Sequence, residues 1–181
     1  MNYTELSIPG VWLIEPVRFG DARGYFMESF RLDEFQAHVG PVEFVQDNES
    51  FSSRGVLRGL HFQKGDDSQA KLVRVSRGAV LDVVVDLRGG SPTFGRHVAV
   101  ELTADNALQL FMPRGMAHGF VVLSDVAQFQ YKVDNRYAPA SEATLRFDDP
   151  ALGIDWRLPH DELLLSPKDL VGLPLSEIDP F

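Results

Sequence analysis

An Arg and a His stand three positions apart in the apolar segment 56–63, which reads Val-Leu-Arg-Gly-Leu-His-Phe-Gln. Ionisable side chains are costly to bury without a partner, so a buried strand that carries two of them indicates a use for both. The Arg58 guanidinium suits the oxygens of a phosphate or carboxylate, and the His61 imidazole is readily used as a base near neutral pH. The segment therefore predicts an enzyme that acts on an anionic substrate.

The composition limits the classes of protein and partner that fit the chain. Its 181 residues are 44% hydrophobic and 24% charged, which predicts one globular domain over residues 1–181. The net charge of −9 argues against nucleic acid, which requires a basic face, whereas a small anion needs only local positive charge. The chain has no Cys, which excludes disulfides and a thiolate nucleophile. No signal peptide or membrane span is apparent, so we expect a cytoplasmic protein.

Period-two alternation and β-branched runs predict strands throughout the middle of the chain. These strands cover residues 42–51, 56–63, 71–77, 80–87, 97–102, 107–112, 119–123 and 127–133. Short strands at this spacing are typical of an antiparallel sandwich or barrel. One helix is predicted near residues 32–38, and the Pro-containing tail after residue 150 is expected to wrap the surface, with a helical turn around 167–170.

Two segments resemble the paired motifs of the cupin jelly roll, a double-stranded β-helix. Residues 113–118, Pro-Arg-Gly-Met-Ala-His, are similar to the second motif, and residues 59–63 occupy the place of the first. On that resemblance His61 and His118 lie on strands that face into a barrel. Metal-binding cupins carry a second His where this chain has Gln63, with a Glu soon after, and both are missing. Two His and a weak amide fall short of a three-ligand site, so we predict no metal.

Eight blocks spread over nearly the whole chain resemble the dTDP-4-dehydrorhamnose 3,5-epimerase family and follow its order. They lie at residues 19–29, 44–48, 56–63, 71–74, 91–95, 113–121, 129–132 and 165–169. The resemblance implies an isomerase that inverts C3 and C5 of dTDP-4-dehydro-6-deoxy-D-glucose, beside the C4 ketone, in dTDP-L-rhamnose biosynthesis. It also implies that no cofactor is needed, in agreement with the lack of a Gly-rich dinucleotide motif.

The resemblance implies four catalytic residues. His61 would be the general base, and Asp169 would accept a hydrogen bond from its far nitrogen and fix the tautomer. Tyr131 would be the general acid, because inversion requires the proton to return on the opposite face. Lys71 would hold the C4 oxygen and stabilise the enolate. From the residues alone, each side chain has an ordinary alternative: a core His, a helix-start carboxylate, a packing Tyr and a solvated Lys.

The other residues implied by the resemblance would bind the dTDP-sugar substrate. Arg23 and Arg58 would clamp the diphosphate with support from Lys168, since guanidinium groups suit phosphate oxygens. Phe19 and Phe26 would stack on the thymine ring. The remaining implied contacts are Glu28, Gln46, Asn48, His118, Tyr137 and Glu142.

Several alternatives remain open on the sequence. A related epimerase that inverts only C3 or only C5 would share the catalytic set, and in such enzymes the region of Tyr137 helps to govern which carbons are inverted. A non-catalytic nucleotide-sugar-binding cupin would need the Arg residues but not the base and the acid, and stoichiometric iron would indicate a cupin oxygenase. The family also forms dimers in which a neighbour extends a sheet, so a homodimer is expected.

Overall fold

Two antiparallel sheets face each other in the computed structural model, which describes residues 1–181. The strands are β1 (Asn2–Glu5), β2 (Trp12–Glu15), β3 (Arg18–Asp21), β4 (Gly24–Met27), β5 (Gln46–Ser53), β6 (Leu57–Gln63), β7 (Lys71–Arg77), β8 (Ala79–Asp86), β9 (His97–Thr103), β10 (Gln109–Met112), β11 (Met116–Val122), β12 (Val126–Val133) and β13 (Glu142–Thr144), and the one α-helix is α1 (Leu32–His38). One sheet has the order β1-β2-β10-β7-β12-β5 and the other β13-β6-β11-β8-β9, while β3 and β4 pair only with each other. The all-β prediction is confirmed.

The five-stranded sheet is covered on both faces, which explains its most hydrophobic strand. Along β8, Val80 and Val84 belong to the core between the two sheets, whereas Leu81, Val83 and Val85 pack on the opposite face. The tail covers that opposite face with side chains that include Leu152, Trp156 and Ile178. Because both faces are buried, β8 is a continuous apolar run instead of an alternating one. The tail is thus part of the core as well as a surface segment.

Most predicted elements are present, with differences at their ends. Residues 32–38 and 71–77 form α1 and β7 as predicted, but β5 begins at residue 46 instead of 42, and β11 begins at 116 instead of 119. The predicted turn near 167–170 is a 3₁₀ turn at Asp169–Val171. Strands β1 to β4 and β13 were not predicted, because segments of three or four residues are too short to show periodicity. No helix is long and apolar enough to cross a membrane.

A bulge in β6 places Arg58 and His61 on the same side of the sheet. Residues three apart in a regular strand point to opposite faces. Here Arg58 pairs with Phe120, and His61 pairs with His118. The two pairs are three residues apart on β6 but only two residues apart on β11, so β6 contains one extra residue, which is a β-bulge. Gly59 lies in this bulge with a φ of +123°, and a Cβ atom there would come within 2.5 Å of the Cα of Gly119. The close approach of the two strands therefore requires glycine.

We expect Gly59→Ala to lower the free energy of unfolding by about 2 kcal/mol more than Gly40→Ala. Both glycines have a φ of +123°, but a Cβ at Gly40 would meet nothing within 4 Å, so the control carries only the backbone cost. Urea unfolding of both variants and the wild type measures the difference. Equal losses in the two variants would contradict the role assigned to the close strand contact.

Candidate active site

A cavity of about 400 Å³ opens between the two sheets. The six-stranded sheet contributes Gln46, Asn48 and Ser50 from β5, Lys71 from β7, and Phe129 and Tyr131 from β12. The five-stranded sheet contributes Arg58 and His61 from β6, His118 and Phe120 from β11, and Glu142 from β13, and three loops add Gln69, Tyr137 and Lys168. The structure thus brings together most of the residues that the sequence predicts for the site.

His61 on one wall is hydrogen bonded to a buried carboxylate from the tail. The distance from its Nε2 to Asp169 Oδ1 is 2.7 Å, and Asp169 is 3% exposed. Burial would raise the pKa of Asp169, but hydrogen bonds from His61, Ser166 and Gly59 outweigh that effect and lower it to about 2. Asp169 is therefore ionised at neutral pH and accepts the Nε2 proton. This leaves the Nδ1 lone pair of His61 free to act as a base.

Two groups that the sequence did not predict hold Asp169 in place. The Ser166 hydroxyl donates to Asp169 Oδ2 over 2.6 Å, and its backbone N–H donates to the same oxygen over 3.1 Å. The backbone N–H of Gly59, in the β6 bulge, donates to Oδ1 over 3.2 Å. A Ser three positions before an acidic residue is a known local capping pattern, so the Ser166 contact had a sequence signal. The Gly59 contact had none, because it joins residues 110 positions apart.

Lys71 reaches the cavity from the facing sheet. Burial lowers its pKa to about 8, although the negative charges of Asp82 and Glu142 partly oppose that shift. The ammonium is still mostly protonated at neutral pH. It is a partly desolvated positive charge, which is well suited to stabilise a negative oxygen atom in the cavity.

Tyr131 lies on the wall opposite His61. It is in the central part of β12, where it pairs with Asn48 of β5 and Val73 of β7. Burial raises the pKa of its hydroxyl, and the positive charge of Arg58 only partly opposes this. The phenol is therefore protonated at neutral pH and can donate a proton from the side of the cavity that faces the imidazole.

A second His–Asp pair lies next to the first, because His118 and His61 are cross-strand partners. His118 Nε2 lies 2.9 Å from Oδ2 of the fully buried Asp82, whose other oxygen has no hydrogen-bond partner. Burial lowers the pKa of His118 more than Asp82 raises it, so the ring is neutral at neutral pH. Asp82 was not predicted, although an Asp inside the apolar run of β8 is a visible signal.

The two histidines are engaged separately, and no three His, Asp or Glu side chains are grouped as metal ligands. The side chain of Gln63, at the position of the second His in metal-binding cupins, bonds to backbone atoms of Asp67, Arg136 and Ala138.

A chain of hydrogen bonds closes one side of the cavity mouth. The Tyr137 hydroxyl donates to Glu142 Oε2 over 3.0 Å, and Lys168 Nζ donates to Oε1 of the same carboxylate over 2.5 Å. Glu142 is the only acidic residue among those that line the cavity, against the cations Arg58, Lys71 and Lys168. A chain of net charge −9 thus gathers positive charge at one place, as recognition of an anion requires.

Four predicted binding residues do not reach this cavity within their own chain. Phe19 and Phe26 lie on the β3–β4 hairpin with 65% and 71% of their surface exposed. Arg23 is exposed at the tip of the hairpin and forms an ion pair with Asp21. Glu28 follows the hairpin, and its Oε1 lies 3.6 Å from Nη1 of Arg31. The hairpin has no ladder to either sheet, and none of its residues lines the cavity beside His61. The assignment of these four residues to substrate binding stays a prediction.

We expect Asp169 to contribute about 2 kcal/mol of stability that depends on pH. Its folded pKa of about 2 lies below the ordinary 3.8, so this stabilisation is present above pH 4 and is lost as the pH falls through 2. Urea unfolding measures the free energy of unfolding at pH 5 and at pH 2.5. The difference between these two values should be smaller for Asp169→Asn than for the wild type. Asp105→Asn, at an exposed carboxylate without an ion pair, is the control. An unchanged pH effect in Asp169→Asn would contradict the assignment.

Comparison with known proteins identifies the relatives of this chain. The family model described as dTDP-4-dehydrorhamnose 3,5-epimerase matches residues 5–177. The chain is 52% identical over 179 residues to the dTDP-4-dehydrorhamnose 3,5-epimerase of Escherichia coli K12, covering 98% of this chain and 96% of the relative. It is 52% identical over 182 residues to the Pseudomonas aeruginosa enzyme of the same name, covering 100% and 99%.

Solved structures agree with the sequence comparisons. The Elizabethkingia anophelis dTDP-4-dehydrorhamnose 3,5-epimerase is similar with a TM-score of 0.94 and 48% identity, over 98% of this chain and 97% of that one. The Legionella pneumophila dTDP-6-deoxy-D-glucose-3,5-epimerase, solved in complex with dTDP-4-keto-L-rhamnose, also has a TM-score of 0.94, with 47% identity over 98% and 94%. The chain, an isomerase with the jelly-roll fold of the cupins, belongs to the dTDP-4-dehydrorhamnose 3,5-epimerase family.

Proposed function

We propose that this protein inverts C3 and C5 of dTDP-4-dehydro-6-deoxy-D-glucose to give dTDP-4-dehydro-L-rhamnose. One observation carries the proposal: a base, His61 with Asp169, and an acid, Tyr131, line opposite walls of one cavity that also holds Lys71. Inversion at a carbon beside a ketone needs a proton removed from one face and returned on the other. A cavity with these groups on facing sheets supplies both faces.

The first step is removal of the proton on the carbon beside the ketone. The Nδ1 lone pair of His61 takes this proton, and the C–H electron pair moves into the enolate. Asp169, which accepts the Nε2 proton over 2.7 Å, stabilises the imidazolium that forms. The Lys71 ammonium stabilises the negative charge that develops on the C4 oxygen.

The second step returns a proton from the opposite face. The Tyr131 hydroxyl protonates the carbon, the enolate electrons re-form the ketone, and the configuration is inverted. His61 then releases its proton to solvent and Tyr131 recovers one, so the same groups serve the second centre. Because this sequence of steps removes one proton and returns another, it needs no oxidant or reductant. Each inverted carbon acquires a hydrogen from solvent.

The cations at the cavity mouth match the charge of a nucleoside diphosphate sugar. Arg58, whose guanidinium also bonds the Ser52 hydroxyl at 3.1 Å, and Lys168 would contact the diphosphate. The polar side chains nearby would contact the sugar and the nucleoside; they are Gln46, Asn48, His118, Tyr137 and Glu142. The mouth therefore favours an anionic group, while the reacting sugar occupies the inner part beside His61.

We expect His61→Ala to abolish the solvent-deuterium uptake at C3 and C5 that the wild type shows, with a loss of at least about 10²-fold in rate. The assay incubates dTDP-4-dehydro-6-deoxyglucose in D₂O, couples the product to a downstream reductase, and counts labelled carbons by NMR. His97→Ala, on the edge strand β9, is the matched control and should be unaffected. Normal exchange in His61→Ala would show that another group is the base.

Inversion at C3 alone is the second candidate, since one relative is named a dTDP-4-dehydrorhamnose 3-epimerase. That Streptomyces niveus protein is 42% identical over 178 residues, below the 52% of the Escherichia coli 3,5-epimerase. The same deuterium assay separates the two functions. Label at both carbons supports the double epimerase, and label at C3 only supports the single one.

We further propose that the protein acts as a homodimer in which the β3–β4 hairpin completes the site of the partner. The hairpin exposes two Phe rings and an Arg, the residue types that bind a flat base and a phosphate, yet it does not reach the cavity of its own chain. Exposed aromatic rings of this size are a typical interaction surface. The unpaired edge of β5, beside the cavity, offers the partner a place to dock.

A mixing experiment tests the shared site. His61→Ala and Arg23→Ala should each be weakly active alone. When equal amounts of the two variants exchange subunits, half of the dimers contain one subunit of each variant. One of the two sites in such a dimer is intact, so activity should recover to about a quarter of the wild type. No recovery would mean that Arg23 serves its own chain or that no dimer forms, and sedimentation distinguishes these two outcomes.

A further inference from the structure

The buried amide of Gln63 has no part in the chemistry proposed above, although it lies two residues from the base. It is 5% exposed and is not among the residues that line the cavity. Its Nε2 donates to the carbonyl of Asp67 over 2.6 Å and to that of Arg136 over 3.1 Å. Its Oε1 accepts from the backbone N–H of Ala138 over 2.8 Å. Both amide hydrogens and one of the two lone pairs of Oε1 are thus used in hydrogen bonds to main-chain atoms.

Two of these bonds bracket Tyr137. The carbonyl of Arg136 and the N–H of Ala138 are the main-chain groups on either side of that residue, and Gln63 binds both. Residues 134–138 belong to neither a strand nor a helix, so no ladder supplies partners there. The Gln63 side chain takes the place of a neighbouring strand and pins the backbone on both sides of one residue.

Through its bond to Asp67, the Gln63 amide also connects this loop to the turn that follows β6, and two other side chains support the connection. Asn135 Nδ2 donates to the carbonyl of Asp66 over 2.9 Å, and Gln69 Nε2 donates to the carbonyl of Asn135 over 2.8 Å. These side bonds hold the start of the loop, whereas only Gln63 holds the two groups next to Tyr137. Tyr137 as a whole is 55% exposed, so packing alone does not fix its side chain.

The partner of the Tyr137 hydroxyl lies beside Gln63 in the sheet. Glu142, which accepts that hydroxyl, is the cross-strand neighbour of Gln63 in the β13–β6 ladder. Gln63 therefore bonds the main chain on both sides of Tyr137, and it also lies next to the residue that accepts the Tyr137 hydroxyl. We propose that Gln63 is a positioning residue that holds Tyr137 over the mouth of the cavity, an inference that rests on the proposed epimerase function for its effect on rate.

The test is a double-mutant cycle. Gln63→Met keeps the volume and removes all three hydrogen bonds, and we expect kcat/KM to fall about tenfold. Tyr137→Ala should lower it as well. If Gln63 acts through Tyr137, the double variant falls no further than Tyr137→Ala alone. Gln36→Met is the matched control, because the Gln36 amide also donates to a backbone carbonyl, that of Val42, but lies in α1 outside the site.

A second measurement does not depend on activity. The chain has four Tyr, so 3-fluorotyrosine labelling gives a small set of ¹⁹F signals, and the loss of one in Tyr137→Phe assigns Tyr137. Gln63→Met should shift or broaden that signal and leave the others in place. If the wild type shows no epimerase activity, the proposed function fails, and the ¹⁹F signal still decides the role of Gln63.

Two results would overturn the inference. One is a folded Gln63→Met variant with the wild-type Tyr137 signal, and the other is a pair of rate losses that multiply in the double variant. If Gln63→Met does not fold, Gln63→Glu replaces it, since that change keeps the shape of the side chain and removes the amide donors.

Discussion

The hydrogen bond between His61 and Asp169 joins two parts of the chain that are 108 residues apart, and the proposed function of the site depends on it. His61 comes from the middle of a sheet, and Asp169 from a turn in the tail. The tail is held in place because its apolar side chains cover the outer face of the same sheet. Hydrophobic packing on one side of the five-stranded sheet therefore helps to orient His61, the proposed base, on the other side.

The site combines this rigid base with an unusual distribution of charge. The chain carries a net charge of −9, yet its cavity is lined by three cations and one carboxylate. The carboxylates closest to the chemistry, Asp169 and Asp82, each bond a histidine on one side and are buried. They bond the Nε2 atoms of the two imidazole rings and do not line the cavity, so the charged side chains that do line it are mostly positive.

Local pattern reading recovered the architecture where the pattern is long. The seven-residue strand β7 and the helix α1 matched their predicted bounds, since each shows at least one full period of its repeat. The short strands β1 to β4 were missed, although one pair of them forms the hairpin that carries Arg23 and the two exposed Phe rings. The bulge at Gly59 was also invisible, because it is defined by the register with β11 and not by the sequence of β6 alone.

From the sequence, the chemistry could be predicted through the resemblance to a known family. On that resemblance, His61, Lys71, Tyr131 and Asp169, with Gln63 in place of a metal-binding His, predicted cofactor-free proton transfer beside a ketone, whereas each residue type alone also had an ordinary structural explanation. Three features become visible only in the folded chain: the wall that each group occupies, the bonds from Ser166 and Gly59 to the carboxylate, and the bonds from Gln63 to the loop around Tyr137. The position of the β3–β4 hairpin outside the cavity also became visible only in the structure. These features arise from contacts between residues distant in the chain, whose pairing depends on how whole sheets pack, and local periodicity carries no record of that packing.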